Sequence, residues 1–205
     1  MSQIGTVTAS GPRWATVTRS TKETQITVTL KLDGTGETKI ETGVGFYDHL
    51  LNSLAHHALF DLEIDASGDL VIDEHHTVED VALVFGAALA QALGDRAGIA
   101  RFGDSSVPMD ESVATAVVDV GGRPYAVIDL PFKGKRAGKM PLELIEHALE
   151  SLARGGGVTL NLKGRGRNDH HLAEAAFKAV GRALSAAVAV DPRRQGPAST
   201  KGALG

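Results

Sequence analysis

Cysteine is absent from all 205 residues. Disulfides and thiolate chemistry are therefore excluded, and any metal must be held by nitrogen and oxygen ligands. Long apolar runs are also missing. None approaches the ~20 residues that a membrane span needs. The start, Met1-Ser2-Gln3-Ile4-Gly5, lacks the basic and apolar regions of a signal peptide. No excess of positive charge is present: the net charge is −4, which gives no reason to expect nucleic acid as a partner. What remains is ordinary globular material, 42% apolar and 22% charged. The expectation is a cytoplasmic protein of one large domain, or two small ones sharing a core.

The chain reads as a plan written twice. Residues 1–12 form an arm. Trp14 to Thr18 and Ile26 to Leu32 alternate as strands. Asp33-Gly34 signals a hairpin, with Thr35 to Glu41 as the return strand. Phe46 to Ala58 has helical spacing, Leu59 to Ala66 alternates again, and His75 to Leu93 is a long helix stopped at Gly94. In the second half, Val113 to Val120 and Tyr125 to Leu130 read as strands around the turn Gly121-Gly122. Leu142 to Ala153 is a helix broken by Gly155-Gly156-Gly157. Val158 to Leu162 is a strand, and His170 to Val188 is the second long helix. Residues 191–205, with Pro192 and Pro197, read as an irregular tail.

The halves also match letter by letter. Asp48-His49 lies over Glu146-His147 at an offset of 98, and His75-His76-x-x-Glu79 lies over His170-His171-x-x-Glu174 at an offset of 95. This is an internal duplication of 13–95 by 96–190. The predicted fold is α+β, an internally duplicated two-layer sandwich. Each half has a sheet and two helices, and the helices of the two halves pack together.

Six of the eight histidines sit in these repeated motifs. Glu79 is three and four residues from His76 and His75, so either histidine can share its helix face. The two histidines are themselves ~100° apart around the helix, which argues against one ion for both. Two ions, each drawing on both halves, would be served by His49, His75, His76, His147, His170 and His171 with Glu79 and Glu174. Such a set suits Mn²⁺, Fe²⁺ or Zn²⁺. The residues alone leave a water-activating metallohydrolase and a metal-held assembly protein open as readings.

Further segments carry a family resemblance: Gly45-Phe46-Tyr47-Asp48-His49, His57-Ala58-Leu59-Phe60-Asp61-Leu62, His75-His76-Thr77-Val78-Glu79-Asp80, Arg101-Phe102-Gly103, Pro108-Met109-Asp110-Glu111, Gly122-Arg123-Pro124-Tyr125, His170 through Lys178, and Ser199-Thr200-Lys201-Gly202. From about Arg13 to Leu204 the chain resembles the imidazoleglycerol-phosphate dehydratase family of histidine biosynthesis. The resemblance implies halves like the second domain of ribosomal protein S5, each with a four-stranded sheet. It implies two Mn²⁺ ions per active site, and a homo-oligomer of twenty-four chains built from trimers with sites between chains. It further implies that imidazole glycerol phosphate loses water to give imidazole acetol phosphate, through an imidazolate held between the two ions. In that reading Glu23 is the acid/base and Asp110 a second catalytic candidate. His57 would contact substrate hydroxyls, while Arg101, Arg123, Lys178, Ser199 and Lys201 would bind the phosphate. The tail 191–205 would contribute to the site.

Overall fold

A computed structural model of the chain describes residues 13–202 and 204. The arm expected over 1–12 lies outside the described residues. The first half runs β1 (Trp14–Ser20), β2 (Thr24–Lys31), β3 (Thr38–Glu41), α1 (Gly45–Ala58), β4 (Asp61–Gly68) and α2 (His75–Leu93). The second runs β5 (Phe102–Met109), β6 (Ser112–Asp119), β7 (Tyr125–Asp129), the short pair β8 (Arg136–Ala137) and β9 (Met140–Pro141), α3 (Glu143–Gly156), β10 (Thr159–Arg165) and α4 (Asp169–Val188). The sheets are ordered β1-β2-β4-β3 and β5-β6-β10-β7. The duplication seen in the sequence is thus a duplication of topology, in an α+β fold of two similar halves.

Each sheet buries one face, as alternation requires. Ile26, Val28, Leu30, Leu62 and Ile64 point inward from the first, and Ala114, Ala116, Val118, Leu160 and Leu162 from the second. The helices lie between the sheets, with α2 against α3 and α1 against α4. Glycines permit the close crossings. A Cβ on Gly86 would meet the backbone of Leu152 and Gly156, and one on its counterpart Gly181 would meet the Leu54 carbonyl. No helix among the described residues is long and apolar enough to cross a membrane.

Two local expectations are corrected. Asp33-Gly34 does not close a hairpin, because β3 pairs with β4 in parallel and β4 lies between β2 and β3. A strand–helix–strand crossover places its two strands side by side and parallel. Asp61 secures the detour, its Oδ1 accepting from the Thr35 amide at 2.7 Å and the Glu37 amide at 3.2 Å. The glycines at 155 and 156 do not break α3, which continues through Gly156. A Cβ on Gly155 would strike the Leu83 carbonyl of α2 at 2.4 Å, whereas one on Gly156 would meet nothing nearer than 3.2 Å. Strand β5 had no periodic apolar signal, since only Gly103 of its residues is buried.

Candidate active site

The long helices begin with a capping acceptor two residues ahead of the first histidine. Asp73 Oδ1 accepts from the His75 amide at 2.8 Å, and Asn168 Oδ1 accepts from the His170 amide at 3.0 Å. Both histidine pairs are thereby set in a first helical turn, where the next carboxylate on the same face comes four residues later.

Two clusters result, each built from both halves. In one, His49 of α1 meets His170 and Glu174 of α4; in the other, His147 of α3 meets His75 and Glu79 of α2. Within each, the donor atoms lie within 4.8 Å of one another. Glu174 Oε1 is 2.8 Å from His170 Nε2 and 3.0 Å from His49 Nε2. Its Oε2 accepts from Lys178 Nζ at 2.8 Å. Burial pushes the Glu174 carboxyl up, but Lys178 and His49 outweigh that and bring it down to about 2. The group is an anion aimed at two imidazoles. In the second cluster the His75 and His147 rings are 4.7 Å apart, and His147 Nε2 stands 3.7 Å from Glu79 Oε1. Glu79 is steadied by Arg154 at 2.6 Å. Burial raises its carboxyl, and Arg154 with His147 lowers it to a net depression. His147 Nε2 is buried without a hydrogen-bond partner among the described residues. Two imidazoles, one of them with an orphaned nitrogen, and one carboxylate are the donor set of a divalent cation of the Mn²⁺, Fe²⁺ or Zn²⁺ type, so the residues fit a metal.

His76 and His171 stand outside both clusters. Each is perpendicular to its neighbouring histidine, with ring centroids 6.1 Å apart. His76 Nδ1 lies 3.0 Å from Asp69 Oδ2 and 3.9 Å from Glu23. His171 Nδ1 lies 2.9 Å from Glu111 Oε2 and 3.8 Å from Asp110. The bond to Asp69 raises the His76 pKa, and the bond to Glu111 raises that of His171. Glu23 and Asp110 sit in the exposed tips of the β1–β2 and β5–β6 hairpins. His57 is at the exposed end of α1; burial lowers its pKa, with Lys178 adding to the effect.

The expected phosphate residues separate into two places. Arg101, Arg123, Ser199 and Lys201 line one cavity of about 360 Å³. Arg101 grips Asp119 through two bonds of 2.7 and 2.9 Å and the tail through the Ala198 carbonyl at 2.7 Å. Lys178 is elsewhere, on Glu174. The cavity is at the far end of α4, because the Arg101 amide bonds the Ala187 carbonyl. At 1.5 Å per residue, the rise from His170 to Ala187 is about 25 Å.

Sequence reasoning missed Asp69, Glu111 and Arg154, which hold His76, His171 and Glu79 from loops and from α3. Helical spacing is silent about such partners. For Glu111 a signal did exist, since the duplication lays it over Glu23.

A duplicated α+β fold with two mirrored imidazole–carboxylate clusters defines a candidate metalloenzyme. The comparisons with known proteins narrow the class. The family model described as imidazoleglycerol-phosphate dehydratase matches residues 42–184. The imidazoleglycerol-phosphate dehydratase of Methanoculleus marisnigri is 52% identical over 192 residues, covering 94% of this chain and 100% of that protein. The histidine biosynthesis bifunctional protein HisB of Stenotrophomonas maltophilia is 52% identical, covering 96% of this chain and 54% of that protein. The solved dehydratase from Pyrococcus furiosus has a TM-score of 0.79 at 34% identity, covering 92% of this chain and 100% of that one. The chain belongs to the imidazoleglycerol-phosphate dehydratase family, hydro-lyases of histidine biosynthesis.

Proposed function

We propose that the chain dehydrates imidazole glycerol phosphate to imidazole acetol phosphate with two divalent cations, Mn²⁺ foremost, and Glu23 as acid/base. The observation that carries this reading is the mirrored pair of clusters at one end of the fold, with a cationic cavity at the other. Cations at the two clusters would act as Lewis acids on the substrate's imidazole and ease loss of its ring proton. The chain's own residues do the rest. Glu79 and Glu174, kept ionised by Arg154 and Lys178, hold the ligand geometry. Glu23 accepts the proton from the substrate carbon as the C–O bond of the neighbouring hydroxyl breaks; Glu23 then returns the proton, so that the oxygen departs as water, and the enol left behind becomes the ketone. Asp110 orients or relays, and His57 meets the substrate hydroxyls. Arg123, Ser199 and Lys201 hold the phosphate, with Arg101 stiffened by Asp119 behind them. Lys178 serves Glu174 in this reading, not the phosphate.

The separation of about 25 Å along α4 exceeds any single small substrate. One site therefore combines the clusters of one copy with the cavity and tail of another. His76 and His171 complete the ligand sets of adjacent copies. A closed assembly of twenty-four chains built from trimers, in the cytoplasm, satisfies that demand.

The test is turnover of the purified protein on imidazole glycerol phosphate, with and without metal. Chelation should abolish turnover and Mn²⁺ restore it. Glu23→Gln should lower kcat roughly 10²- to 10⁴-fold while metal content stays the same. Turnover by metal-free protein would defeat the reading. Cutting the chain before Ser199 should raise KM strongly and leave bound metal intact; unchanged kinetics would remove the tail from the site.

A further inference from the structure

The two halves are alike enough to show where they differ. In the hairpins the offset is 88: Ala15 pairs with Leu30 as Gly103 pairs with Val118. Buried Thr24 opens β2 as buried Ser112 opens β6. Glu23 and Glu111 therefore occupy the same place, the last turn residue before the strand. His76 and His171 also correspond, at an offset of 95.

In the second half this pair is joined. Glu111 Oε2 is 2.9 Å from His171 Nδ1. Its Oε1 accepts from Ser112 Oγ at 2.9 Å, the Arg167 amide at 3.0 Å and the Asn168 amide at 2.8 Å. Glu111 is locked. In the first half the pair is apart. Glu23 stays 3.9 Å from His76 Nδ1, while Asp69 takes that nitrogen at 3.0 Å. The Glu23 carboxylate makes no hydrogen bond among the described residues. Asp69 belongs to a connection from Gly68 to His75 that is three residues longer than the one from Gly166 to His170. The residue aligned with Asp69 in the second half is Arg167, which has no carboxylate to offer. Asp69 Oδ1 is buried without a partner, a cost that its own loop does not explain.

We propose that Asp69 is a positioning residue that replaces Glu23 on His76, so that His76 keeps its orientation and the Glu23 carboxylate is left for the substrate. An acceptor on Nδ1 requires the proton there, which presents Nε2 as the ligand nitrogen. One ring nitrogen holds one such acceptor. Were Glu23 to take it, as Glu111 does, it would be locked too. The proposal rests on the reading of Glu23 as acid/base, and its test separates the two.

The first arm is solid-state ¹⁵N NMR of histidine-labelled, metal-free protein in alkaline buffer, with the His76 signal identified by its loss in His76→Gln. In a Glu23→Ala background, Asp69→Ala should convert His76 from one tautomer to a mixture. It should also weaken Mn²⁺ binding about 10- to 100-fold. Asp69→Asn, which keeps an acceptor oxygen, should preserve both. The second arm is kinetic. Asp69→Ala alone should lower kcat at least about tenfold with KM within about twofold, as Glu23 moves onto His76, and Asp69→Asn should recover most of the loss. An unchanged His76 signal, an unchanged kcat, or an asparagine variant as impaired as alanine overturns the proposal. Full turnover by Glu23→Gln would sink the acid/base reading alone, since the His76 signal reports on Asp69 regardless.

Discussion

Lys178 and Arg123 look interchangeable as cations, and their surroundings assign them different work. Lys178 is bonded to a buried carboxylate, and its Nζ also donates to Met109 Sδ at 3.6 Å. Arg123 is 66% exposed at the mouth of a cavity and 3.8 Å from Asp119. A charge-assisted bond to a phosphate contributes roughly 1.5–3 kcal/mol, or about 10- to 100-fold in binding. Arg123→Ala should therefore raise KM by about that factor with metal content unchanged. Lys178→Met should leave KM close to wild type and change the metal content, because Glu174 loses the partner that keeps it ionised. Steady-state kinetics beside metal analysis of both variants distinguishes them. A large KM effect from Lys178→Met would return it to the phosphate site. The position equivalent to Lys178 in the first half is Leu83, so Glu79 takes its cation from Arg154 on α3. Equivalent carboxylates of the two clusters are thus steadied by non-equivalent residues, which is why a search for repeated letters finds the clusters and not their supports.

Among the elements, the helix crossings and the β2–β3 detour make the sharpest expectations. Gly86 and Gly181 let backbones approach where a methyl group would strike a carbonyl. Gly181→Ala gains up to about 1 kcal/mol of helix propensity, but overpacking a backbone contact costs about 1–3 kcal/mol. Net destabilisation of up to about 2 kcal/mol in denaturant titration is expected, and a stabilised variant would show that α1 and α4 can part freely. Asp61 predicts a pH effect. The Thr35 amide first, with Lys31 and the Glu37 amide, draws its carboxyl to about 2 from an ordinary 3.8. A depressed folded value means that the stabilisation is complete above about pH 4 and is lost as pH falls toward 2. Asp61→Asn should reduce the slope of urea-denaturation stability across that window, where Glu174 and other depressed carboxylates still titrate, and leave the slope outside it unchanged. The sequence announced the helices, because His75 to Leu93 and His170 to Val188 carry both periodicity and capping acceptors. It misreported Asp33-Gly34, because a turn signal says that the chain reverses and not which strand it meets next. That choice belongs to α1, whose crossover seats β4 between β2 and β3. The two His/Glu clusters were legible as candidates because the duplication repeats them. The outward places of His76 and His171 were not, because they depend on which way loop carboxylates face.

For the whole molecule, the duplicated fold faces its two helix layers inward and leaves the two candidate metal clusters and the cationic cavity at opposite ends. Both clusters form where the four helices start, and the cavity of Arg123, Ser199 and Lys201 forms where α4 ends. A site shared between copies makes a prediction that no single-chain site can make. Take one variant without a cluster, Glu174→Gln with His170→Ala, and one without the cavity, Arg123→Ala with Lys201→Ala. Each alone should have little or no turnover, because every site in its assembly lacks one part. In a mixture assembled at equal amounts, a site drawing on two copies receives both intact parts in roughly a quarter of random pairings. Turnover should then rise to about that fraction of wild type after co-expression, and stay near zero when the assembled proteins are merely mixed without exchange. Recovered turnover shows that the clusters and the cavity act across a chain boundary. Persistent inactivity in co-assembled protein, with mixed composition verified by mass spectrometry, would place the whole site within one chain and require the tail and the clusters to meet by a rearrangement of this fold.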